Sequence, residues 1–172
     1  MHYIKKLSLI ALLSFSQFLS ADSNIIAEQH IGYSHLSLDD NTGNGFNFGF
    51  NFAVPLGESA NTDGFNLGLG IEIESSSIDF PNNGNSSILG TTGNMFLGYN
   101  YGDFNIRAGG GYTYLDVDKE YYIDGAVFTS SAGWNFSKSF GIQVTYKTGN
   151  LSSNYKEDIN TQLIGINLVF HN

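Results

Sequence analysis

The sequence predicts an all-β fold: eight antiparallel strands in up-and-down order, closed into a transmembrane β-barrel. Three observations carry this. Large apolar residues alternate with small polar ones at a period of two in segment after segment, short connectors alternate with longer ones, and the chain opens on what reads as an export leader. The plainest case of the first is Phe46-Asn47-Phe48-Gly49-Phe50-Asn51-Phe52-Ala53-Val54, a strand with one greasy face and one small, uncharged face.

The leader is expected over residues 1–21, and the barrel over 22–172. Lys5 and Lys6 supply a positive start, Leu7 to Leu19 is an apolar run broken by serines and Gln17, and Leu19-Ser20-Ala21 is a small-residue exit. The run is too short and too interrupted for a spanning helix.

The first strand, around Gln29 to Leu38, carries Ile31 and Tyr33 on one parity and Leu36 and Leu38 on the other, so a bulge near Ser34 or a shifted boundary is expected. The phenylalanine strand is second. The third sets Phe65, Leu67, Leu69, Ile71 and Ile73 against Asn66, Gly68, Gly70, Glu72 and Glu74. The fourth sets Met95, Leu97, Tyr99 and Tyr101 against Asn94, Phe96, Gly98 and Asn100. The fifth runs from Phe104 to Tyr114, the sixth from Ala126 to Phe136, the seventh from Phe140 to Lys147, and the last from Ile164 to Phe170. Gly109-Gly110-Gly111 follows no phosphate-binding pattern and reads as room for tight curvature.

Gly102-Asp103 and Ser137-Lys138-Ser139 read as tight turns, while Asp39–Gly45, Ser75–Ser87, Asp116–Asp124 and Thr148–Asn160 read as longer, polar, acidic loops on the outer side. The connector Pro55–Asp63 should be short in this scheme and is long.

The composition of the polar face decides which face meets lipid. A water-facing exterior is rich in charge, whereas this one is mostly Asn, Gly, Ser and Thr, small groups that fill a narrow lumen. Aromatic placement agrees: Tyr99, Tyr101, Phe104, Trp134, Phe136, Phe140 and Phe170 gather at the periplasmic end, and Tyr112, Tyr114 and Tyr146 at the outer end. The formal charge of −9 excludes a nucleic-acid footprint, and the absence of Cys excludes disulfides and thiolate metal sites.

On this pattern the chain resembles the small eight-stranded outer-membrane barrels of the OmpA transmembrane-domain and OmpX kind, over residues 22–172. The resemblance implies a monomer in the bacterial outer membrane, surrounded by lipid and lipopolysaccharide and delivered by the barrel assembly machinery. It also implies a C-terminal outward aromatic as the assembly signal; Phe170 fits, although His171 and Asn172 follow it.

Glu72, Glu74, Arg107 and Lys147 fall on the lumen parity and are the candidate polar network, with Glu72 and Lys147 placed to pair across the lumen and Arg107 lower, near Asn105 and Asn135. We read the network as a plug satisfying buried charge, with a narrow solute channel as the alternative. A lipid-A-modifying enzyme is the distant third reading. His35-Leu36-Ser37, with Glu28 upstream, lacks the late His-x-Ser placement of barrel deacylases. Asp116-Val117-Asp118-Lys119-Glu120 lacks the Gly turn and distal Glu of a calcium loop, and reads as a solvated loop. No cofactor or metal motif is present, and no enzymatic role is expected. The expected role is structural or adhesive, through acidic external loops that meet lipopolysaccharide or an external partner.

Overall fold

The computed structural model describes residues 25–56, 63–80, 84–118, 121–153 and 158–171; the expected leader lies outside them. Eight strands follow in order: β1 (Ile26–Leu38), β2 (Asn41–Pro55), β3 (Gly64–Phe80), β4 (Gly84–Tyr101), β5 (Phe104–Val117), β6 (Tyr121–Ser137), β7 (Phe140–Ser153) and β8 (Ile159–His171). Each pairs antiparallel with the next, and β8 pairs with β1, so no edge is left open. Following hydrogen-bonded partners once round the wall from Leu67 returns to β3 at Ser77, ten residues further on. That stagger goes with strands tilted by about 35–45° from the barrel axis.

The apolar parity faces outward through the lower and middle wall. Phe65, Leu67, Leu69, Ile71 and Ile73 of β3 are all exposed, as are Met95, Leu97, Ile106, Val144 and Ile166 on neighbouring strands. Their partners in sequence point into the lumen, where Asn47, Asn66, Thr92, Asn105, Gln143 and Asn167 are buried.

Two expectations fail, for one shared reason. β1 pairs with β2 and β8 without a register break, so there is no bulge near Ser34. The outer loops are also much shorter than expected: the outer connectors reduce to Asp39–Asp40, 81–83, 118–120 and 154–158, and most of the supposed loop residues are strand. The strands continue upward with their polarity inverted. Ile78 and Ile88 are 0 % exposed in the lumen, while Ser75, Ser77 and Asp79 point outward. Leu36, Leu38, Leu115, Val117, Ile123, Val127, Leu151, Ile159 and Leu163 join Ile78 and Ile88 in one apolar cluster across the outer end of the lumen. Below, the barrel is apolar outside and polar inside, as lipid demands; above, it is polar outside and apolar inside, as water demands. Leu36 and Leu38 change role without any change of register.

The segment between β2 and β3, 56–63, is the longest connector, and the strand ends it joins, Pro55 and Gly64, lie at the periplasmic end. Its last residue is tied down: the Asp63 carboxylate accepts from the Gly102 N–H in the β4–β5 turn at 2.5 Å. The one register shift among the described pairs lies between Asn135 and Ser137 on β6, beside the turn into β7.

Candidate functional site

The lumen is stacked in layers. Lowest is a cluster around Glu28, which faces both terminal guanidinium nitrogens of Arg107 at 2.5 Å each, with His171 Nδ1 3.1 Å away. His171 Nε2 lies 2.9 Å from the Asn135 side-chain oxygen, and Arg107 stacks over the Phe96 ring, 5.1 Å from its centre. Asn51, in the amide orientation that satisfies both its ends, accepts from Arg107 Nη1 at 3.1 Å. Arg107 therefore lies low in the lumen and pairs with Glu28 and Asn51, while Asn135 joins the same cluster through His171.

In the middle layer Lys147 Nζ donates to Glu72 at 2.7 Å and to the Thr92 hydroxyl at 2.9 Å, and lies 3.9 Å from Glu74. Ser76 donates to Glu74 at 2.7 Å, the Thr92 and Thr113 hydroxyls are 2.6 Å apart, and His30 Nε2 sits 3.4 Å from Glu72. Two strands, β3 and β4, thus aim at one lysine, and the two layers together hold three carboxylates against two fixed cations and two histidines. Small residues make the space: a Cβ on Gly49 would come within 2.5 Å of the His30 ring. What remains between the layers is a cavity of about 50 Å³, room for a few waters and no more.

Of the candidate network, Glu72, Glu74 and Lys147 come together, while Arg107 belongs to the lower cluster. Glu28, His30 and His171 were missed. The signal for the first two was present, since Glu28 and His30 share the lumen parity with Leu36 and Leu38. His171 continues the alternation past Phe170: the aromatic stays outward, and the histidine turns in to Glu28.

Outside, rings of the periplasmic set touch in sequence round the wall, with centres 4.8 Å apart for Phe65–Tyr99 and Phe104–Trp134, and 5.9 and 5.6 Å for Phe136–Phe140 and Phe140–Phe170. Tyr101 stands beside them, two-thirds exposed. Toward the outer end, Tyr112, Tyr114 and Tyr146 share the wall with Tyr33 and Phe46, which are in edge-to-face contact. Gly109 and Gly111 face inward, where a Cβ would strike the β4 backbone, and Gly110 faces outward, where a Cβ would fit in ordinary contact with the Val127 carbonyl.

The His-x-Ser pair is not assembled as a catalytic group. His35 faces outward and pairs with Asn44 at 2.9 Å, Ser37 donates to the Asp39 carbonyl at 3.1 Å, and Glu28 lies at the other end of the strand. Among the described residues no group of His, Asp or Glu side chains is arranged to hold a metal ion.

The outer turns share a device. Asp39 and Asp118 both adopt positive φ (52° and 50°). The Asp39 N–H donates to the Asn160 carbonyl and its carboxylate accepts from the Asn160 N–H; Asp118 makes the same reciprocal pair with Ser87. Hydrogen bonds from the Ser86 hydroxyl and the Ser87 N–H hold the Asp118 carboxyl below its ordinary range.

No protein-family model and no curated protein matches the sequence. Solved structures do. Ail, the attachment invasion locus protein of Yersinia pestis, in complex with the heparin analogue sucrose octasulfate, superposes with a TM-score of 0.60 at 11 % identity, covering 86 % of this chain and 99 % of Ail. Neisserial surface protein A (NspA) gives 0.60 at 7 % identity, over 86 % of this chain and 97 % of NspA. The fold is that of the small outer-membrane barrels. With that fold and its outward apolar belt, the chain is built for the bacterial outer membrane, and the expected OmpA/OmpX-like architecture is the observed one.

Proposed function

We propose that this protein is a sealed surface barrel: a membrane-anchored platform whose projecting outer end meets a partner, and not a pore. The observation that carries this reading is the apolar cluster from Leu36 to Leu163 across the outer lumen, standing on the ion-paired Glu72–Lys147 layer. Water and ions have no polar path through such a cluster, and a charge entering it would be stripped of hydration at a cost of several kcal/mol. The recognition surface is therefore the polar outer wall of the extended strands, with a minor part for the short connectors.

Its charge points to the kind of partner. Asp39, Asp40, Asp79, Asp116, Asp118, Asp124 and Asp158 lie at the outer end, and no described Lys or Arg lies there. By sequence, the connectors 118–120 and 154–158 add Lys119 and Lys156, each beside a Glu. Such a rim repels polysulfated ligands of the kind held by Ail and favours cationic ones. We further propose that residues 1–21 are removed on export, that Phe170 is read by the assembly machinery, and that the barrel acts as a monomer without enzymatic activity.

Planar-bilayer recording tests the reading. The purified protein should insert without conductance steps, and replacing Asp79, Asp116 and Asp124 together by Asn should weaken cell or matrix adhesion while leaving the heat-modifiable barrel intact. Steady conductance by the unaltered protein that changes in Glu72→Gln would overturn it in favour of solute passage.

A further inference from the structure

Above the apolar cluster the barrel does not end flat. The inward side chains of the last strand residues enclose a cup of about 380 Å³ at the outer mouth. Its floor is Leu38, Ile123 and Ile159, all of them part of the cluster, and Phe80 and Tyr121 form aromatic walls packed against it. The lip is polar: Asp39, Asn41 and Ser153. The volume lies within the range of small-molecule sites, and an apolar floor with a few polar groups at the rim is how such sites are lined.

We propose that this cup is a binding site for a small aromatic or branched apolar molecule bearing a neutral or positively charged polar end. The apolar body would rest on Leu38, Ile123 and Ile159 between the two rings, and the polar end would stay at the lip beside Asp39. The charge of that end follows from the surroundings. Asp39 and Asp118 are held in place by their reciprocal backbone pairs with Asn160 and Ser87, and Asp40, Asp79 and Asp158 stand at neighbouring strand ends. A carboxylate or phosphate head would meet only like charge among these described groups. The site is blind: Ile78, Ile88 and Leu151 beneath it are wholly buried, so a molecule that enters from outside leaves by the same mouth. The cup serves capture or display at the surface, and it is independent of whether the outer wall binds a larger partner.

The test uses the protein purified from outer membranes and placed in phosphatidylcholine nanodiscs, since free detergent would compete for an apolar cup. Isothermal titration compares 2-naphthylmethylamine with 2-naphthoate, two ligands of one body and opposite charge, with empty nanodiscs as reference. One saturable site for the amine, with naphthoate weaker by about tenfold or more, is the expected result. Ser153→Trp and Asn41→Trp, each filling the cup from its lip, should each abolish that site while the boiled and unboiled gel mobilities still differ. Absence of saturable binding beyond empty nanodiscs would overturn the proposal, as would naphthoate binding equal to the amine, or binding that survives both substitutions in folded protein.

Discussion

Lys147 is the residue on which the middle of the lumen depends. It faces Glu72 at 2.7 Å and Glu74 at 3.9 Å, so its loss leaves two buried carboxylates without their fixed cation. Removing one partner of a buried pair costs about 3–5 kcal/mol, and Lys147→Met should lower unfolding stability by about that much. Adding Glu72→Gln to Lys147→Met should restore part of the loss, and Glu74→Gln on top of both should restore most of it; urea titration of the folded fraction in lipid vesicles reads all three. Asp118 offers a pH test at the same scale. Its folded value lies below the unfolded one, so the stabilisation is present above the unfolded aspartate range and disappears as pH falls through the folded value. The Ser87 amide resonance should accordingly titrate with a midpoint below the ordinary aspartate value of about 3.9. Sequence reading placed Glu72 and Lys147 on facing walls because parity and distance from the turns suffice for that. Glu28 lies just before the expected start of that strand at Gln29, and with Ile31 and Tyr33 on one parity and Leu36 and Leu38 on the other the lumen face of β1 was ambiguous. The pairing of Arg107 with Glu28 was out of reach because neighbours across several strands depend on the stagger of the whole barrel.

At the scale of the element, the strands are legible wherever one parity is apolar throughout, as in Phe65 to Ile73, and illegible where the apolar set changes parity. Beyond Glu74 the pattern reads Ser75-Ser76-Ser77-Ile78-Asp79, which looks like a loop because its one large apolar residue sits on the supposed polar face. Backbone pairing continues regardless, with Ser77 opposite Asn44 on one side and Ser87 on the other. The inference from polar composition to loop failed because water, not lipid, faces this part of the wall. The two parities above the switch should therefore respond oppositely to substitution. Ile78→Asp places a charge in the outer core and should cost several kcal/mol or prevent folding, whereas Ser77→Asp, one residue away, should stay within about 0.5 kcal/mol of the parent. Gel mobility before and after boiling, followed along a temperature series, separates the two.

For the molecule as a whole, the number of strands, their order and the face turned to lipid all follow from the sequence, since each depends on local alternation. Closure with its ten-residue stagger, the layering of the lumen and the extension of the wall beyond the belt depend on contacts between distant strands, such as Arg107 with Glu28, and were out of reach. One prediction concerns the chain as exported: protein recovered from outer membranes should begin at Asp22 by intact mass, and a larger species carrying residues 1–21 would place the anchor elsewhere.

The reversal of polarity along the wall also acts as a depth gauge. Aromatic belts by themselves fix a barrel's height loosely, because a slide of a few ångströms costs only what lipid can absorb by thinning or thickening. Here an upward slide exposes outward leucines and isoleucines to water, and a downward slide sinks Ser75, Ser77 and Asp79 into hydrocarbon. Both errors are penalised within one or two residues of the switch. Bilayers of different thickness should therefore bend to meet this protein, leaving its outer rim at a constant height above the lipid surface.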